Sequence, residues 1–204
     1  MDPLDGVLPT AVPLLKRVDE VLSQAGAPPD HHVWPSIRRV CLLPWDAVQA
    51  VAALRPDDLS DAALELRADA RSYAGIAGSL PAPDVWSGEA AEAYDASRRR
   101  TASHLSGAVD SLDERLEATA DVADALIDWM RQTRSDLAVT LAEVLTSAEG
   151  LSLSAETPVD PTAVRDAQAA AEVAVRVLET VANSYDAALD LITRSADLAT
   201  PSQT

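Results

Sequence analysis

The sequence has no phenylalanine, only three tyrosines and only seven glycines among 204 residues. Strands are enriched in aromatic residues, and the tight turns that join them need glycine, so this scarcity argues against an all-β fold. The apolar residues, 48% of the chain, are mostly alanine, leucine and valine, a mixture that favours helices. The sequence therefore predicts an all-α protein with enough apolar side chains to bury a core.

Cysteine and lysine occur once each. A single cysteine excludes an intramolecular disulfide, and the apolar neighbours of Cys41 predict a small, buried side chain. Because Lys16 is the only lysine, arginines supply nearly all of the 16 basic residues, against 33 acidic ones, and the net charge is −17. Such a surface repels nucleic acid and anionic lipid, so we expect neither as a partner, although Arg98, Arg99 and Arg100 form one basic cluster.

Long apolar runs are missing too. No stretch approaches eighteen apolar residues, so we expect no membrane span. The first thirty residues include Asp2, Asp5, Asp19 and Glu20, and they lack a basic segment followed by an apolar one, which argues against a classical signal peptide. Export of this chain would therefore need a route without such a peptide.

Motifs for catalysis or cofactor binding are not found. The sequence has no glycine-rich phosphate loop, no nucleophile elbow and no cysteine–histidine constellation. His31 and His32 lie in a proline-rich segment and His104 in a predicted helix, without a spacing typical of metal ligands. We interpret them as surface imidazoles and expect no metal, no cofactor and no catalytic residue, as in a non-enzymatic protein.

Prolines divide the chain, and none occurs between Pro83 and Pro158. This gap predicts one very long helix over 87–149, with a break near Ser106 and Gly107 as the alternative. We expect a helix at 57–80 to cover its start and a helix at 161–198 to cover its end, leaving part of its apolar face for a second chain. The helical period assigns to that face Leu105, Leu112, Leu116, Leu126, Met130, Leu137 and Leu141.

The remaining segments complete the predicted domain organisation. A helix at 10–25, a proline-rich connector at 26–36 and a short helix after Pro44 are expected near the start. The predicted segments are an N-terminal helical extension at 1–44, a helical hairpin at 45–150, a linker at 151–160, a C-terminal helix at 161–198 and a tail at 199–204.

A Trp-x-Gly tripeptide, Trp86-Ser87-Gly88, lies at the predicted turn of the hairpin. Glycine allows a positive φ there, and the indole can bury a large area at the open end of the two arms. Ser87 or Asp84 is expected to cap the helix that follows.

This motif and its position between two long helices resemble the Trp-x-Gly, or ESAT-six-like, family over residues 45–145. Members of that family are antiparallel helical hairpins that pair as four-helix homodimers or heterodimers, and actinobacterial and related type VII machines export them. The resemblance implies that Trp86 and Gly88 contribute to the export signal and to hairpin stability. It also implies a protein partner: a second copy, another Trp-x-Gly protein or the secretion machinery.

The chain departs from the family in one respect, because the tyrosine-based second signal element is absent. That element is a tyrosine followed four residues later by Asp or Glu, whereas Tyr73, Tyr94 and Tyr185 are followed at that distance by Ala77, Arg98 and Leu189. Two function classes stay open. The first is a type VII secretion substrate or targeting module; the second is a cytoplasmic helical adaptor or chaperone-like partner that is not exported.

Overall fold

A computed structural model describes residues 2–154 and 164–199, and these residues form helices and no strand. The all-α prediction is confirmed. None of the helices in the described ranges is long and apolar enough to cross a membrane. The helices are α1 (Pro3–Ala25), α2 (Val33–Val40), α3 (Pro44–Ala52), α4 (Ala62–Ser79), α5 (Glu89–Leu105), α6 (Leu112–Thr146), α7 (Ala148–Leu153) and α8 (Val164–Ala199), with a 3₁₀ turn at Pro56–Leu59 before α4.

The chain divides into two compact units, each made of two stretches that are distant in sequence. Unit 1 contains Met1–Arg55 and Trp129–Leu189, and unit 2 contains Pro56–Asp128 and Asp190–Thr204. Helices α6 and α8 therefore contribute residues to both units. The predicted segments follow one another along the chain and do not coincide with these units. Of the predicted linker, residues 151–153 belong to α7, and 155–160 lie outside the described residues.

The main hydrophobic core lies in unit 1, where α1 packs on α3 and α7. Its fully buried leucines and valines come from α1, α2, α3, α6 and α8, at the i, i+3, i+4 spacing of amphipathic helices. The largest of them are Leu4, Leu15, Val18, Val21, Val33, Val48, Leu137, Leu141, Val144, Val173, Val177 and Leu178.

Helix α1 begins seven residues before the predicted start at residue 10, which was wrong, and ends at Ala25 as predicted. The Asp2 carboxylate accepts a hydrogen bond from Leu4 N (2.8 Å), and Pro3 occupies the first helical position, where its missing N–H is no loss. Pro9 and Pro13 lie inside the helix and each removes one backbone hydrogen bond. Burial of the leucines and valines that follow offsets this loss.

Helix α2 forms within and beyond the predicted proline-rich connector, and its end overturns the prediction of a buried Cys41. Cys41 terminates α2 in the left-handed region (φ 59°), where its N–H donates to Ile37 O (2.7 Å). At this position the side chain points away from the core and is exposed. The short helix predicted after Pro44 is confirmed as α3.

The predicted helix over 87–149 is interrupted at residues 106–111, as the alternative proposed. Gly107 (φ 85°) and Asp110 (φ 65°) both adopt left-handed conformations that end α5. The Asp113 carboxylate accepts hydrogen bonds from the hydroxyls of Ser106 and Ser111, which fixes the start of α6. These two bonds hold the pKa of Asp113 below its ordinary value.

Two predicted covering contacts are present. In unit 2, α4 packs on α5, and Arg67 of α4 pairs with Asp121 and Asp124 of α6 at 2.8 Å. In unit 1, α8 lies along α6, with the hydroxyls of Thr140 and Thr180 2.8 Å apart. The described part of α8 begins at Val164, so the first three residues of the predicted helix and its cap at Asp160 lie outside the described residues.

Arg134 of α6 is a charged side chain buried in unit 1, only 2% exposed. Its Nε donates to Asp2 (2.8 Å) and its Nη2 to Asp5 (2.7 Å). Its Nη1 donates to the main-chain oxygens at the end of α3, closest at Ala52 (2.8 Å) and Leu54 (3.2 Å). The hydrogen bond from Arg134 holds the pKa of Asp2 below its ordinary value. One guanidinium thus joins α6 to the start of α1 and the end of α3.

We predict that Arg134→Met lowers the free energy of unfolding by about 2–4 kcal/mol, because it leaves the partly buried carbonyls of Ala52 and Leu54 and the partly buried carboxylate of Asp2 without their donor. The free energy of unfolding of Arg134→Lys should lie between those of the wild type and Arg134→Met, since one ammonium cannot reach all of these acceptors. Urea denaturation measures both. The control is Arg100→Met, an exposed arginine on α5 that should change stability by less than about 0.5 kcal/mol. Equal effects of the two methionine variants would contradict the prediction.

Asp19 of α1 caps the start of α3, where the N-cap residue Leu43 has no polar side chain. Both Asp19 carboxylate oxygens lie 3.3 Å from Trp45 N, which donates to them. Burial raises the pKa of Asp19 to about 6; the Trp45 N–H opposes this shift and the charge of Asp46 adds to it. The carboxyl group is therefore more easily protonated in the folded chain than in the unfolded one.

We predict that Asp19→Asn stabilises the protein at pH 7.5 by about 1–3 kcal/mol, because the amide oxygen still accepts from Trp45 without a half-buried charge. The pKa is higher in the folded state, so the stabilising contribution of Asp19 is complete below about pH 4 and is lost as the pH rises through 6. The advantage of the variant should therefore grow from pH 4 to pH 7.5 in urea denaturation. Glu20→Gln, a change of an exposed carboxylate on the same helix, is the control. An advantage that does not change with pH would refute this account.

Candidate functional site

The Trp-x-Gly tripeptide lies in the turn between α4 and α5, as the sequence predicts. Helix α4 ends at Ser79 and α5 begins at Glu89. Gly88 is the N-cap residue of α5 with φ 95° and ψ −176°, a region that only glycine adopts readily. Its carbonyl oxygen accepts from Glu92 N (3.1 Å). The predicted side-chain cap from Ser87 or Asp84 is wrong, because the N-cap is Gly88 and no side chain caps α5.

Trp86 is less buried than expected, with 47% of its surface exposed. Its indole contacts the ring of Tyr94 on α5, with ring centroids 5.5 Å apart and a tilt of 48°. The Tyr94 hydroxyl donates to Pro81 O (2.9 Å), so the tyrosine holds the two ends of the turn together. The adjacent Val85 is 98% exposed. The indole thus contacts α5 through Tyr94 and leaves about half of its surface open to solvent.

The interior of the α4–α5 hairpin explains why Trp86 stays near the surface. The buried residues of its two helices are alanines: Ala63 and Ala70 on α4 and Ala91 on α5. Helices that meet through alanines leave little room for a large ring between them. Larger apolar side chains lie outside instead: Leu64 and Ile76 of α4 are both exposed. The hairpin therefore carries an apolar surface that unit 2 itself does not cover.

The basic cluster on α5 is partly neutralised. Arg98 and Arg99 lie 2.7 Å and 2.6 Å from the Asp95 carboxylate, one turn earlier on the same helix. These two arginines hold the pKa of Asp95 below its ordinary value. The cluster thus has less positive charge than its three arginines suggest.

The predicted partner interface on the long helix is only partly available. Leu137 and Leu141 are 0% and 1% exposed in the core of unit 1, so their assignment to a partner interface was wrong. Both leucines belong to the hydrophobic core of unit 1, to which α1, α2, α3, α7 and α8 also contribute buried residues. The other five assigned residues are half-buried: Leu105, Leu112, Leu116, Leu126 and Met130.

A second cluster, which the sequence does not predict, brings together residues distant in the chain. His31 and Glu172 are 141 positions apart, and His31 Nε2 lies 3.3 Å from Glu172 Oε1. The His31 and His32 rings stack, with centroids 4.5 Å apart. His31 is buried and not at the surface as expected, whereas His32 is exposed and Glu172 half-buried. Only the adjacency of the two histidines was visible in the sequence; the position of the glutamate depends on the packing of α8.

No family model, curated protein or solved structure matches this chain. The all-α class therefore rests on the structure itself, and the resemblance to the Trp-x-Gly family stays a prediction.

The conformation of Gly88 gives a direct test of the turn. Gly88→Ala should destabilise the protein by about 1–3 kcal/mol, because an added Cβ meets no neighbour but strains the backbone at φ 95°. Gly75→Ala is the matched control, since Gly75 lies within α4, also with open space around it, and alanine there should stabilise the helix by up to about 1 kcal/mol. Thermal unfolding of both variants should give shifts of opposite sign. Shifts of the same sign would contradict the assigned turn.

Proposed function

We propose that this chain is a non-enzymatic helical interaction protein, and specifically a type VII secretion substrate or targeting module. The observation that carries the proposal is the exposed indole of Trp86 at the tip of the α4–α5 hairpin. In this proposal Trp86 and the Gly88 turn are recognised during export, and the hairpin binds a protein partner.

The uncovered apolar surface of the hairpin supports a protein partner. Exposed aromatic and aliphatic side chains next to one another mark interaction sites more often than scattered single residues do. Trp86 and Val85 are such neighbours at the tip, and Ile76, one turn before the end of α4, is a further exposed apolar residue of the same hairpin. The acidic chain favours a protein partner over nucleic acid or an anionic membrane.

The absent tyrosine-based element limits the form that export can take. If recognition needs both elements, a partner has to supply the second one, and the exported species is a heterodimer. If the chain acts inside the cell, the same hairpin serves as a cytoplasmic adaptor or chaperone-like partner. Dimerisation and export are therefore separate questions, and each has its own measurement.

Trp86→Ala separates recognition from stability. Because the indole is half-exposed, we predict that truncation lowers the free energy of unfolding by no more than about 1.5 kcal/mol, well below the 3–5 kcal/mol typical of a buried ring. The same variant should reduce the amount of protein in the culture medium at least tenfold when it is expressed in a host with a type VII machine. Trp34→Ala is the control, since Trp34 is also partly exposed but lies on α2 in unit 1.

The outcomes distinguish the two functions. Export that depends on Trp86 and not on Trp34 supports the secretion proposal. Equal export of the wild type and both variants, or no export of any, refutes it and favours the cytoplasmic adaptor. Multi-angle light scattering of the purified chain tests self-association, because a homodimer should lose mass on Trp86→Ala. If the wild type is a monomer, the homodimer is removed from the proposal, and the partner of the hairpin surface has to be a different protein.

A further inference from the structure

We propose that His31, His32 and Glu172 of unit 1 bind a divalent transition-metal ion, with Zn²⁺ as the best fit. The three residues offer two imidazole nitrogens and one carboxylate oxygen, and these ligand atoms lie within 4.8 Å of one another. Two imidazoles and one carboxylate are a common protein ligand set for zinc and leave a fourth position open to water. This site is independent of the proposed function of the hairpin in unit 2.

The distance between the two closest ligand atoms fits a tetrahedral ion. Zinc lies about 2.0–2.1 Å from nitrogen and oxygen ligands, so two ligands of one tetrahedral ion are about 3.3–3.4 Å apart. His31 Nε2 and Glu172 Oε1 are already 3.3 Å apart. The side chain of His31 is 5% exposed, so its ring is held in position, and the Glu172 side chain, at 32%, remains open to solvent.

His32 has to move for the site to form. Its ring is nearly parallel to that of His31, at 14°, so the in-plane lone pairs of the two rings cannot point at one ion. His32 is exposed, and its ring can turn about its side-chain bonds without displacing core residues. Apart from this reorientation, the spacing between the ligand atoms, at most 4.8 Å, exceeds the tetrahedral spacing by no more than about 1.5 Å.

The main-chain contact of His31 sets the strength of binding. In the metal-free protein, Val33 N donates to His31 Nδ1 (3.1 Å), so the single proton of the neutral ring is on Nε2 and is donated to Glu172. Metal binding at Nε2 places the ring proton on Nδ1, where Val33 N–H loses its acceptor. Because Val33 is fully buried, this loss weakens metal binding by about ten- to a hundredfold. We expect a Kd on the order of 10 µM.

The experiment uses the full-length chain without a histidine tag, treated with chelator and titrated with ZnCl₂ at pH 7.5 by calorimetry. Excess Mg²⁺ and 0.3 M NaCl, concentrations of the order that screens surface charge, suppress binding to exposed carboxylates. We expect one Zn²⁺ per chain. His32→Gln and Glu172→Gln should each weaken binding at least tenfold, and both should fold, since His32 is exposed and the glutamine oxygen still accepts from His31.

Matched controls are His104→Gln, which changes an exposed histidine of α5, and Glu179→Gln, which changes an exposed glutamate of α8. Neither should alter the Kd. A ¹⁵N-resolved spectrum adds a structural readout, because the Val33 amide should shift on zinc binding as it loses its acceptor. The proposal is overturned by the absence of saturable binding below 1 mM, by equal losses in the control variants, or by zinc binding that leaves the Val33 amide unmoved.

Discussion

The structure of unit 1 depends on the burial of one guanidinium group. Arg134 donates to both carboxylates near the start of α1 and to the last carbonyls of α3, so it satisfies acceptors at the ends of two helices at once. The carbonyl end of α3 has partial negative charge, and so the arginine compensates a helix dipole as well as two acids. Removing such a charge from water is costly, and the cost is offset only because every guanidinium nitrogen has a partner.

The helical class could be predicted because it depends on composition and on apolar periodicity, both of which are properties of local sequence. The start of α1 could not, because a proline such as Pro9 breaks a helix unless long-range burial compensates, and that burial comes from the other helices of the unit 1 core. The break before α6 had a visible signal in Gly107. The left-handed Asp110 and the two serine hydroxyls on Asp113 had none, because any of these residues is also common inside or beside a helix.

In the candidate sites, too, local sequence predicts some features, and long-range packing decides the others. The conformation of Gly88 could be predicted from its place in a turn. The exposure of Trp86 could not, because it depends on the small size of the residues between α4 and α5, and apolar periodicity carries no information about side-chain size. Leu137 and Leu141 share a periodic face with the half-buried leucines near the start of α6, and only the packing of the unit 1 core separates the two groups. The pairing of His31 with Glu172 depends on a contact across 141 positions, for which a single sequence gives no signal.

The interleaved order of the two units has a consequence for biosynthesis. Met1–Arg55 leaves the ribosome first, but its partners in the same core, Trp129–Leu189, are made only after most of unit 2. Because synthesis proceeds at about 5–20 residues per second, α1, α2 and α3 are complete roughly 4–25 seconds before α6 and α8 can cover their apolar faces. Contacts of such long sequence separation form slowly, so the apolar faces of the N-terminal helices that α6 and α8 cover stay open to solvent during synthesis.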